Sequence, residues 1–140
     1  MNRSQPEPVI KVLIVEQHMA AAASLRRILE QWFHSPLDIL ATTSAREAIV
    51  LARECAVDLM IAHVTLAEGD GLTLCRTVRQ MPVLAQLPIM LLGEGTSARA
   101  KILGFTSGAD DYIVRPIDDR LLVARFRLLL RLKSIDRLHL

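Results

Sequence analysis

Four apolar residues in a row, Leu59-Met60-Ile61-Ala62, followed at once by His63, constrain the fold more than any other feature of this chain. A strand without polar alternation must be covered on both faces, the habit of a central strand in a parallel sheet. Comparable runs occupy residues 9–15, 37–41, 88–92 and 111–114, with stretches of helical periodicity between them. Leu25, Ile28, Leu29 and Trp32 mark the first stretch, Ala48, Leu51, Ala52 and Cys55 the second, and Leu74, Cys75 and Val78 the third. Ala98, Ile102 and Phe105 mark the fourth, and a long helix runs from residue 117 almost to the end. Five strand-helix pairs at this spacing predict an α/β fold, a doubly wound parallel sheet of five strands with right-handed crossovers.

Local signals punctuate the pattern. Pro36 and Pro82 stop the first and third helices, and Gly69 and Gly71 supply a sharp turn after His63. Ser44-Ala45-Arg46-Glu47 reads as a capping box, with Ser44 as N-cap and Glu47 reaching back to it. Of the 140 residues 51% are hydrophobic and only 4% aromatic, which suits one aliphatic core rather than two small ones. The net charge of +2 is too slight to argue for nucleic acid. A basic run from Arg120 to Arg137 follows Asp118 and Asp119, the order a helix macrodipole favours. Cys55 and Cys75 fall on apolar stripes and read as reduced thiols. Nothing resembles a signal peptide or a membrane span, so a cytoplasmic protein without membrane contact is expected.

In a sheet of this kind chemistry gathers beyond the carboxyl ends of the strands. Glu16, Gln17, His63, Gly93 and Arg115 follow the strands and are therefore expected to be neighbours.

The segments LIVEQH, VDLMIAHVTL, GDGLTLCR, LPIMLLG, GADDYIVRP and LLVARFRLLLRLK together resemble the receiver domain of bacterial response regulators, the CheY-like fold. The resemblance covers residues 9–133. It leaves residues 1–8 as a disordered N-terminal segment and 134–140 as a helical extension towards a further domain. It implies the strand order 2-1-3-4-5 and a known chemistry, in which an aspartate after the third strand accepts phosphate from a histidine kinase. Acids after the first strand hold Mg²⁺, a Thr or Ser follows the fourth strand, and a Lys precedes a proline after the fifth. Against that pattern His63 stands in the acceptor's place and Gln17 in that of one acid, leaving Glu16. Gly93 replaces the hydroxyl and Arg115 the lysine. Tyr112 matches an aromatic that turns inward on activation, and with no hydroxyl at Gly93 a fixed rotamer is expected. The resemblance also implies a cis bond before Pro116.

Magnesium wants several hard oxygen ligands, so its binding is expected to be lost or weak, with no other cofactor. His63 reads as a packed imidazole bonded to Glu16. The sharper readings are a metal ligand with Glu16 and His18, a phosphoacceptor, or a pH-sensitive pair in which a carboxylate favours imidazolium. Arg115 is expected to fork onto Glu16. The closing helix holds more apolar residues than one stripe can bury. Phe105, Tyr112, Leu122, Phe126, Leu129 and Leu130 are expected to form an interaction face. The function these expectations describe is a pseudo-receiver without catalytic activity. It would dimerise or dock on another signalling domain, with no nucleic acid or small-molecule substrate of its own. The alternative is a receiver phosphorylated at a non-standard residue, with weak autophosphatase activity. A flavodoxin-like flavin site would need a hydroxyl-rich phosphate loop after the first strand, and Gln17-His18-Met19-Ala20-Ala21 offers none.

Overall fold

The computed structural model describes residues 8–95 and 98–138, with side chains as far as residue 132. Most of the segment expected to be disordered, residues 1–7, lies outside the described residues, as do the side chains of 133–140. Five strands, β1 (Ile10–Val15), β2 (Leu37–Thr42), β3 (Leu59–His63), β4 (Ile89–Glu94) and β5 (Asp111–Arg115), form one parallel sheet ordered β2-β1-β3-β4-β5. The helices between and after them are α1 (Met19–Trp32), α2 (Ala45–Glu54), α3 (Gly71–Gln80), α4 (Ala98–Thr106) and α5 (Asp119–Leu138).

Strand side chains alternate between faces, so an uninterrupted apolar strand feeds two cores at once. Leu13, Val15, Met60, Ala62, Ile89 and Leu91 meet α2 and α3 on one face. Val12, Ile14, Leu59, Ile61, Met90 and Leu92 meet α1 and α5 on the other. His63 is the last residue of β3 rather than the first beyond it, and β4 runs two residues past Leu92 to Glu94.

The capping box closes from one side only. The Ser44 hydroxyl accepts from the Glu47 N–H at 3.3 Å, but the Ser44 N–H goes to the Thr42 hydroxyl at 3.1 Å instead of to the Glu47 carboxylate. Asp70 caps α3 in the same way, accepting from Thr73 N–H at 2.8 Å.

Helix α5 buries residues expected on an open face, and α4 buries a residue that carries no hydrophobic signal. In α4, Ile102 and Phe105 are exposed and Gly104 is the buried residue. A mid-helix glycine costs about 1 kcal/mol relative to alanine, so its presence calls for a packing reason. In α5, Leu122, Phe126 and Leu129 lie in the core with Val123, at the i, i+4, i+7 spacing of one helix face. They cannot serve as an exposed interaction face, and neither can Tyr112, which is also buried. Leu130 packs partly against the core. Among the described residues, the large apolar side chains these helices leave most accessible are Ile102, Leu103 and Phe105 on α4 and Leu121, Leu128 and Leu132 on α5.

One guanidinium fastens the edge of the sheet remote from the strands' carboxyl ends. Arg79 donates to the Gly108, Ala85 and Leu87 carbonyls at 2.8, 3.1 and 2.6 Å and to Asp110 at 2.9 Å. Asp110 in turn accepts the Ile89 N–H at 2.8 Å, closing a ring between α3 and the starts of β4 and β5.

Candidate functional site

Strand parity decides which of the predicted neighbours meet. Glu16 follows β1, while His63, Glu94 and Arg115 end β3, β4 and β5, and Glu94 is in register with Arg115. Glu16 has no exposed surface. Its Oε2 accepts from Arg115 Nη2 in a close ion pair, and its Oε1 accepts from the Gln17 backbone N–H at 3.1 Å. The expected pairing of Arg115 with Glu16 is present, but through one guanidinium nitrogen and one carboxylate oxygen rather than as a two-pronged fork. Burial lowers the Arg115 guanidinium from its usual range, but arginine keeps its charge at any working pH. The Arg115-Pro116 peptide bond is cis.

His63 is 1% exposed and does not bond to Glu16. Its Nδ1 accepts from the Thr65 N–H at 2.9 Å, which places the proton of the neutral ring on Nε2. The Thr65 carbonyl, 3.0 Å from the same Nδ1, is where a doubly protonated ring would donate instead. Nε2 lies 3.5 Å from Glu94 Oε1, within ion-pair reach but outside hydrogen-bond geometry, and is otherwise unpartnered among the described residues. The carboxylate beside His63 is thus Glu94, not Glu16. Continuing the period of two from Leu92 would have brought Glu94 to the site; ending the strand at Leu92 concealed it.

His18 is no ligand partner of His63. It caps α1, its Nδ1 accepting from Ala21 N–H at 3.2 Å. Among the described residues no three His, Cys, Asp or Glu side chains converge as a metal site. Gln17 and His18 instead line an open cleft of about 480 Å³ with Ser24, Glu94, Arg115 and Pro116.

Gly93 faces the opposite side, where a β-carbon would fall 2.0 Å from the Tyr112 hydroxyl oxygen. Tyr112 is folded inward with 7% of its surface exposed, and burial raises its phenol above the usual value of 10.0.

A sheet ordered 2-1-3-4-5, with an acid, a histidine and a cation at the carboxyl ends of β1, β3 and β5, defines a receiver-like α/β protein. The chain belongs to the response regulator receiver domain family, whose model matches residues 12–127. It is 34% identical over 120 residues to the transcriptional regulatory protein AfsQ1 of Streptomyces coelicolor, covering 86% of this chain and 51% of that protein. Against the alkaline phosphatase synthesis transcriptional regulatory protein PhoP of Bacillus subtilis it is 30% identical, covering 89% of this chain and 50% of the relative. It therefore spans about half the length of the curated relatives it matches. Among solved structures, a putative response regulator from Chloroflexus aurantiacus superposes with a TM-score of 0.81 at 32% identity, covering 91% of this chain and 99% of that one.

Proposed function

We propose that this domain is a pseudo-receiver of a bacterial signalling protein, working through protein contacts without being phosphorylated. One observation carries the reading. Glu16 is already neutralised by Arg115, and an imidazole stands where the resembling pattern has its phosphoacceptor.

The chemistry follows from that arrangement. Magnesium requires near-octahedral oxygen coordination. Both Glu16 oxygens are engaged, Gln17 offers only an amide, and His63 presents a protonated nitrogen. These residues do not fit the ion. Gly93 has no hydroxyl to follow a phosphoryl oxygen, so a phosphate would lack a contact able to move the domain. Acetyl phosphate or beryllofluoride with Mg²⁺ is expected to leave the mass and the tryptophan fluorescence unchanged. A stable adduct would overturn the reading, and mass mapping would then identify the non-standard acceptor of the alternative.

The partner in this reading is a protein, either a second copy or another signalling domain. The apolar residues open on α4 and α5, 43–60% exposed, offer the contact surface. Light scattering is expected to show concentration-dependent self-association, and Phe105→Asp to weaken it about tenfold or more. A monomer at every concentration would exclude the second copy as partner.

The matched relatives are named as transcriptional regulators, and we assign no contact with DNA to this domain. Three of the basic residues of α5 are engaged internally: Arg120 lies over Trp32, Arg127 over Phe33, and Arg125 pairs with Asp111 at 2.8 Å. Among the described residues no helix is long and apolar enough to cross a membrane. Both cysteines are free, which suits the cytoplasmic location we propose.

A further inference from the structure

Besides its buried row and its exposed apolar row, α5 carries a third. Arg120, Arg127 and Arg131 are exposed and recur at i, i+7 and i+11, the spacing of one helix face. Arg120 lies over the Trp32 ring, 5.5 Å from its centroid, and Arg127 over the Phe33 ring at 5.7 Å, so the row follows the seam between α5 and the end of α1. The Phe33 ring is itself held edge-on by Phe126 in the core, which fixes the platform under Arg127. Stacking occupies the flat face of a guanidinium and leaves its N–H edge open. Arg26, Arg79, Arg115 and Arg125 all pair with carboxylates, whereas none of these three does among the described residues.

Alongside Arg127 the seam opens into a cavity of about 270 Å³, lined by Phe33, His34, Ser35, Arg127, Leu130 and Arg131. No acid is among those residues. The volume falls below the range of about 300–1,000 Å³ usual for small-molecule pockets and suits a single apolar side chain. One helical turn puts Arg127 and Arg131 about 6 Å apart. Alternate side chains of an extended strand are separated by about 6–7 Å, so two carboxylates on such a strand meet both guanidinium groups.

We propose that this seam docks an extended acidic segment of a partner protein, with alternate carboxylates on Arg127 and Arg131 and an apolar side chain in the cavity between α5 and residues 33–35. Arg120, about 10 Å further along the helix, takes a third acid. Stacking on the rings prepares Arg120 and Arg127 for this contact by limiting the rotamer freedom lost on binding. Nucleic acid is the poorer occupant, because a phosphate backbone brings no apolar side chain to the cavity. The inference goes beyond the function proposed above, since the arginine row is distinct from the apolar row assigned to self-association and holds whether or not the strand ends take phosphate.

A short fluorescein-labelled peptide of glutamates around a central leucine tests it by anisotropy. The peptide is expected to bind, and to bind more weakly as salt rises. Arg127→Gln/Arg131→Gln is expected to weaken binding about tenfold or more, whereas Arg46→Gln/Arg53→Gln, which removes the same charge from exposed positions on α2, leaves it unchanged. Replacing the peptide's leucine with serine is expected to weaken binding as well. Trp32 is the one tryptophan and lies beneath Arg120, so its emission is expected to change with the same midpoint. Unfolding midpoints confirm that both double variants are folded. No binding to the unaltered protein, or an equal loss in the two double variants, would overturn the inference. So would duplex DNA that binds these arginines more tightly than the peptide does. Phosphorylation does not enter these measurements, so failure of the seam is distinguishable from failure of the proposed function.

Discussion

The Arg115→Met variant is expected to lose about 3–5 kcal/mol of unfolding free energy, the range for breaking a buried ion pair from one side. The carboxylate left behind is Glu16, which has no exposed surface and would keep only the Gln17 N–H at 3.1 Å. The reverse change, Glu16→Gln, should cost about 1–2 kcal/mol, because the remaining guanidinium can still be hydrated. The Arg115 side chain is 25% exposed and that of Glu16 is 0% exposed, and this difference creates the asymmetry. Removing both charges in Glu16→Gln/Arg115→Met is expected to recover much of the loss, with a coupling of about 1–3 kcal/mol. Urea unfolding of the four proteins measures all these terms. Equal losses in the two single variants would contradict a buried carboxylate that depends on one cation.

Phe126→Ala is expected to destabilise the domain by about 3–5 kcal/mol, a large share of what a domain of this size possesses. The ring is fully buried and meets Phe33 edge-on, with centroids 5.0 Å apart and an interplanar angle of 84°. Two turns of sequence away from Leu121, Leu128→Ala is expected to change stability by no more than about 0.5 kcal/mol, since its side chain is half exposed. Thermal or urea unfolding of the pair tests the rotational phase of α5. Near-equal effects would mean that the helix sits differently on the sheet.

That phase shows where sequence reasoning stopped. The five strands were legible because uninterrupted apolar runs admit few arrangements, their order came only from the family resemblance, and Glu16, His63 and Arg115 could be placed because the ends of such strands converge. In α5 the apolar residues outnumber one stripe, so periodicity alone cannot choose between the row holding Leu122, Phe126 and Leu129 and the row holding Leu121, Leu128 and Leu132. Contact with the sheet makes the choice. In α4 the buried residue is a glycine, which carries no hydrophobic signal, and the visible apolar residues point outward. Arg79 was invisible for another reason. Three of its four acceptors are backbone carbonyls of residues remote from any motif.

The Arg79 clamp also gives α4 the mechanics of a lever. Gly108, just past its carboxyl end, is pinned through its carbonyl, whereas Ala98 begins the helix beside the open ends of the strands. A rigid rod held at one tip can only swing about that tip. Any tilt of α4 is therefore greatest at Ala98 and least near Gly108.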